Sequence, residues 1–153
     1  MNKTYQTNQI MKYGFIVVAL IIVIVSTFFT NRLAKKLSEE EKKKIEIWAE
    51  STRQLTLADE TTNTNFILLI IEGNTTIPVI MTDQNDNLLS YRNINPPKKD
   101  QEKFFREKIA KLKAERAPIE VKLNDNMNQH IYYDESMLLK QLYIYPYVQL
   151  TVV

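Results

Sequence analysis

Residues 14–30 read GFIVVALIIVIVSTFFT, a run without a single charged side chain. At 1.5 Å per residue such a run covers ~25 Å as a helix, and a few flanking residues bring it to the ~30 Å hydrocarbon thickness of a bilayer. Isoleucine and valine are mediocre helix formers in water. In lipid, however, every backbone N–H and C=O must be satisfied within the segment, and a single span can do that only as a helix. Tyr13, Phe28 and Phe29 fall where interfacial aromatics belong. A cleaved signal peptide would show a shorter apolar core and a small-residue cleavage site, whereas NRLAKK follows here at 31–36. A buried core helix would not be apolar on every face and flanked by charge.

The sequence on either side of this anchor sets its surroundings. The chain has 153 residues, so the part beyond the anchor is one small domain, which buries a modest share of its surface. Twenty basic and eighteen acidic residues are interleaved, and no concentrated basic face is written for nucleic acid. There is no cysteine, which excludes disulfides and thiolate metal sites. With only Gly14 and Gly73, no glycine-rich phosphate loop can be built. Lys3 and Lys12 precede the span, and Arg32, Lys35, Lys36, Lys42, Lys43 and Lys44 follow it. A bare count of positive charge puts the C-terminal side in the cytoplasm, although Glu39, Glu40 and Glu41 stand among those lysines.

Beyond the span, residues 33–58 predict a long helix, with Leu33, Leu37, Ile45, Trp48 and Leu55 in one stripe that Glu41 and Thr52 interrupt. Glu39 with Lys43 and Glu40 with Lys44 are favourable i,i+4 pairs. Ser38 followed by Glu41 has the capping-box pattern, a place where the helix would restart or bend. The stripe packs on the domain or pairs with a second copy, but its heptads are too broken for a coiled coil. FILLIIE at 66–72 is short and apolar, equally compatible with helix or strand. IPVIMT (77–82) and LLSYRNI (88–94) around DQNDN (83–87) predict a β-hairpin. Residues 100–116 predict an amphipathic helix with Phe104, Phe105, Ile109 and Leu112 on one side. IEVKL (119–123) and residues 130–133 predict two more strands around an Asn/Asp/Met/Gln turn. The last stretch, LLKQLYIYPYVQLTVV (138–153), becomes aromatic and then apolar, like the interfacial approach to a second span.

Little chemistry is written along the chain. His130 with Asp134 lacks a nucleophile, an oxyanion site and a pocket signal, and reads as a partly exposed strand histidine. One histidine and no cysteine make zinc untenable. Asp83, Asn85 and Asn87 match the opening of a calcium loop, but Leu88 stands where glycine is needed and Ile94 where glutamate is. Asn74-Thr75-Thr76 fits a glycosylation acceptor, a pattern with meaning only in a eukaryotic secretory route. Gly14-Phe15 after Lys12 is similar to the processing site of type IV pilins, yet Ala19 occupies the position of their glutamate. No cofactor or metal is expected.

As an ordered set, EEEKKKIEIWAESTRQL (39–55), NTTIPVIMTDQNDNLLSYRNI (74–94), PIEV (118–121) and IYYDESMLLKQLYIYPYVQL (131–150) resemble the N-terminal sensory portion of Bacteroidetes-type membrane sensor histidine kinases. The resemblance implies an α+β layout: a transmembrane helix continuing into a long helix, then a small PAS- or Cache-like antiparallel sheet domain with flanking helices. It implies a cytoplasmic tail at 1–13, a span at 14–31, a periplasmic sensor domain at 32–144 with juxtamembrane helix 33–58, and a cut-off second span at 145–153. That placement opposes the charge count. The implied role is signal input to a two-component system, as a homodimer in the bacterial inner membrane answering an unidentified small-molecule or envelope signal. The kinase chemistry is not in these residues: His130 is followed by Ile131, not by an acid, and no glycine-rich ATP lid exists. The alternative is a bitopic structural or assembly protein whose outer domain holds a partner. The positions expected to matter for signalling or structure are Trp48, Asp83, Arg92 and Pro146. Their structural alternatives are packing for Trp48, a kink at the start of the second helix for Pro146, turn capping for Asp83 and a surface ion pair for Arg92.

Overall fold

A computed structural model describes residues 3–124 and 127–152. The chain divides into two compact units, one made of Met1–Ser38 with Leu138–Val153, the other of Glu39–Met137. The long first helix, α1 (Lys3–Thr56), contributes to both and is unbroken at Ser38 and Glu41.

In the first unit, the apolar run lies inside the only stretch among the described residues that is long and apolar enough to cross a membrane, Met11–Thr56. Phe15, Ile24, Phe28 and Phe29 point outward from the protein, as side chains meeting lipid do. Within the apolar run, Thr27 Oγ1 donates back to the Val23 carbonyl at 2.8 Å and so adds no unmet polar group to it. The C-terminal helix α4 (Met137–Val152) starts well before Tyr145, the expected start of a second span. Pro146 is therefore buried inside the helix, not placed at its beginning. Lacking an N–H, it leaves the Leu142 carbonyl without its usual i+4 donor.

The second unit is an α+β sandwich of three layers. Its centre is a four-stranded antiparallel sheet in the order β2-β1-β4-β3. The strands are β1 (Val79–Asp83), β2 (Leu88–Arg92), β3 (Ile119–Asn124) and β4 (Met127–Tyr133). β1 and β2 form the expected hairpin, Val79 opposite Arg92 and Met81 opposite Ser90, with a bulge after Met81. Asp125 and Asn126, in the expected turn between β3 and β4, lie outside the described residues, as do Met1, Asn2 and Val153.

Because strand side chains alternate, the central strands feed two cores. On one face Val79, Val121, Ile131 and Tyr133 meet Ile45, Trp48 and Ala49 of α1, with Ile71 of α2 (Thr64–Gly73) packed alongside. On the other, Ile80 and Tyr132 meet Phe105, Ile109 and Leu112 of α3 (Gln101–Glu115). Ile80 and Ile131 are fully buried, each contributing roughly 1.5–3 kcal/mol of transfer free energy. β3 alternates as IEVKL suggests, Val121 inward and Glu120 and Lys122 outward. The ambiguous FILLIIE segment is helical. Asn63 caps it by accepting from the Asn65 N–H at 3.2 Å, and ten residues, longer than these strands, satisfy their own backbone bonds.

Glu41 and Thr52 do not interrupt the inward stripe of α1. Both are buried with it. Thr52 donates to the Trp48 carbonyl at 2.9 Å, while Glu41 is engaged from the far end of the domain.

Candidate functional site

The richest polar constellation gathers around Asp86, in the turn between β1 and β2. Asp83 builds that turn. Its carboxylate accepts from the N–H groups of Asn85 and Asn87 at 2.8 and 2.9 Å and from the Asn87 side-chain amide at 2.8 Å. These bonds hold the Asp83 carboxyl below its ordinary pKa, the Asn87 side chain contributing most. They also commit the carboxylate to the chain, which removes the leading ligand of the calcium-loop reading. Asp86 sits in the left-handed region at φ 62°, a conformation short polar residues tolerate. That twist turns its side chain back over the sheet.

There Asp86 collects three donors. Lys113 of α3 reaches Oδ2 at 2.6 Å, the Tyr132 hydroxyl donates to Oδ1 at 2.6 Å, and His130 Nδ1 lies 3.4 Å from the same oxygen. The Lys113 bond first, then those of Tyr132 and His130, hold the Asp86 carboxyl below the usual carboxylate range against the opposing effect of burial. Tyr132 is shifted the other way: burial foremost, and then its bond to an anion, raise its phenol well above the ordinary value. A phenol held protonated is a donor, not a nucleophile, so Tyr132 serves to hold the Asp86 carboxylate in place. The carboxylate beside His130 is thus Asp86. Asp134, the sequence neighbour, instead accepts from Lys108 at 3.2 Å.

Beside the cluster a cleft of about 450 Å³ opens between the hairpin turn and α3. Asp86, Asn87 and Leu88 form one wall; Glu102, Arg106, Ile109, Ala110 and Lys113 form the other. Ala110 leaves room where a larger residue would close the gap. The two cations are internally paired, Lys113 with Asp86 and Arg106 with Glu102, both at 2.6 Å. A polar small molecule entering the cleft would therefore exchange partners with existing ion pairs instead of meeting bare charge. Among the described residues no group of three or more acids or histidines is placed to hold a metal ion.

Two expected positions meet at a different place, the C-terminal end of α2. The last carbonyls of a helix have no intrahelical donor. Trp48 Nε1 donates to the Ile71 carbonyl at 3.2 Å; Arg92 sends Nη2 to the Glu72 carbonyl at 3.0 Å and Nε to the Asn74 carbonyl at 2.8 Å. Arg92 is therefore a helix-end clasp and not half of a surface ion pair. Asn93, at φ 57°, adds side-chain bonds to the carbonyls of Asn74 and Ile77.

Sequence reading missed Asp86, Lys113 and Tyr132. Asp86 is one acid in a run of turn-formers, 46 residues from Tyr132, and nothing local marks the pairing. Glu41 did leave a signal: an acid at an inward position of an amphipathic helix needs a buried partner. No protein-family model, curated protein or solved structure matches the chain.

Proposed function

We propose that this chain is the signal-input module of a bacterial membrane sensor of the two-component type, held in the inner membrane with residues 32–144 on the periplasmic side. The observation that carries the reading is the cover of the sheet. The inward face of the helix that also bears the apolar run, through Ile45, Trp48 and Ala49, forms one core with β1, β3 and β4. β4 is a central strand, and the chain leaves it directly for α4. A ligand that favours one arrangement of the sheet over another thereby acts on both connections, which is all a signal requires energetically. A four-stranded antiparallel sheet flanked by helices supports the PAS- or Cache-like assignment, and the cleft beside Asp86 is the input site of choice. α4 is then the lead into a second span.

Alkaline phosphatase joined after Thr61 tests the placement. Activity there, with β-galactosidase silent at the same junction, is expected; the reverse pattern puts the domain in the cytoplasm and ends this reading. For the input site, the detergent-solubilised chain is melted with small-molecule extracts of the cell envelope. A rise in Tm that Leu88→Trp abolishes, by filling the cleft, is the expected result.

A second reading, an assembly protein holding a partner, draws on one specific surface. α2 carries an unbroken apolar run at 66–71, and Phe66 and Leu69 remain 66% exposed, next to a groove of about 540 Å³ that Ile47 helps to line. In the sensor reading that face joins two copies in a homodimer. Phe66→Glu separates the two: loss of self-association supports the homodimer, and loss of a different protein with the homodimer intact supports assembly.

A further inference from the structure

Glu41 and Ser136 form a buried long-range polar contact. Glu41 is 5% exposed and Ser136 4% exposed, and they stand 95 residues apart. Oε2 accepts from the Ser136 N–H at 3.1 Å, and Oε1 accepts from the Ser136 hydroxyl. Two neighbouring lysines are paired elsewhere, Lys42 with Glu46 and Lys43 with Glu40. Moving a carboxylate out of water is costly, and a buried one is retained only where its bonds are specific.

Ser136 immediately precedes Met137, the first residue of α4. In a capping box the residue at the third helical position returns its carboxylate to the N–H of the capping serine. The third helical position here is Leu139, fully buried and unable to do so. Glu41 makes that bond from another helix. An acid at the positive end of a helix has the favourable sign as well. The local Ser38–Glu41 pattern in the sequence is thus not the box that forms: the glutamate is used for a serine at the opposite end of the chain.

We infer that Glu41 acts as a capping-box residue supplied across the fold, a clamp that fixes Ser136, the residue that opens α4, against the Glu41 turn of α1. Its two bonds are directional and lie at the point where β4 gives way to α4. Loosening the clamp frees the start of α4 while the sheet keeps its own ladders and both cores. This holds for an anchored partner-holder as much as for a sensor, so its test is independent of the signalling reading.

The test is hydrogen exchange on the full chain in lipid nanodiscs, comparing wild type with Glu41→Ala, Glu41→Gln, Ser136→Ala and the Glu41→Ala/Ser136→Ala double variant. Bonds to a charged acceptor predict that Glu41→Ala speeds exchange across residues 136–140 on the order of tenfold to a hundredfold. The amides of β1 and β4 should change less than about threefold, since the clamp adds nothing to their ladders. Glu41→Gln keeps shape and one acceptor, and should lie between wild type and the alanine variant. The double variant should be no worse than Glu41→Ala alone, the signature of one shared interaction. Equal acceleration everywhere would reduce Glu41 to a general packing residue and overturn the clamp. Unchanged exchange at 136–140, or fully additive single effects, would overturn it too.

Discussion

Replacing Trp48 first by phenylalanine and then by alanine separates its two contributions. The indole is nearly buried in the core shared by α1 and the sheet, and its N–H closes the Ile71 carbonyl at the end of α2. Phenylalanine keeps most of the apolar contact but removes the donor and some volume, which together cost about 1–2 kcal/mol. Alanine empties the site and costs roughly 3–5 kcal/mol. For a folding unit of about 100 residues these become falls in Tm of roughly 4–16 °C and 12–40 °C. Calorimetry of the full chain in detergent micelles reads the transition without relying on fluorescence, which matters because Trp48 is the only tryptophan. Two results would refute the reasoning. Both variants melting within about 2 °C of wild type would mean that the core is not assembled on α1. Phenylalanine as damaging as alanine would mean that the single N–H bond outweighs the whole apolar contact.

Tyr132→Phe should lower stability by about 1–2 kcal/mol near pH 7, since Asp86 loses one donor and keeps Lys113. The sign of its pH dependence follows from the depressed Asp86 carboxyl: the folded state binds that proton less readily than the unfolded chain. Its bonds therefore stabilise the fold above about pH 4 and are lost as pH falls through the lower folded value. Denaturation followed by Trp48 fluorescence should show the gap between variant and wild type closing on acidification, and a gap constant down to pH 3 would contradict the assignment. Arg92→Ala should cost about 1–2 kcal/mol by leaving the Glu72 carbonyl without this donor and the Asn74 carbonyl to Asn93 alone. Arg92→Lys should restore less than half of the lost denaturation midpoint, because an ammonium cannot reproduce the planar fork; full restoration would make charge, not geometry, the cause.

The long apolar helix, the hairpin around Asp83 and the amphipathic α3 were legible from residue order because each rests on physics within a few residues. A run without charge can cross lipid only as a helix, an Asn/Asp cluster turns the chain, and apolar steps of three and four make one helical face. Segment 66–72 was undecided, since a short apolar run satisfies either period until Asn63 caps it as a helix. Arg92 looked like a surface charge because the carbonyls it closes belong to another element, twenty residues away for Glu72. Glu41 looked like a break in the apolar stripe for the same reason.

Periodicity along the sequence thus determined that there is a membrane-length helix and, segment 66–72 apart, which elements follow it. Only the tertiary structure decided where the polar groups go, bringing Asp86 to Tyr132, Arg92 to the end of α2 and Glu41 to Ser136. Apolar burial is non-directional and is written as a pattern anywhere along a chain, whereas a hydrogen bond has one partner in one direction. When that partner is 95 residues away, as for Glu41, no local spacing can announce it.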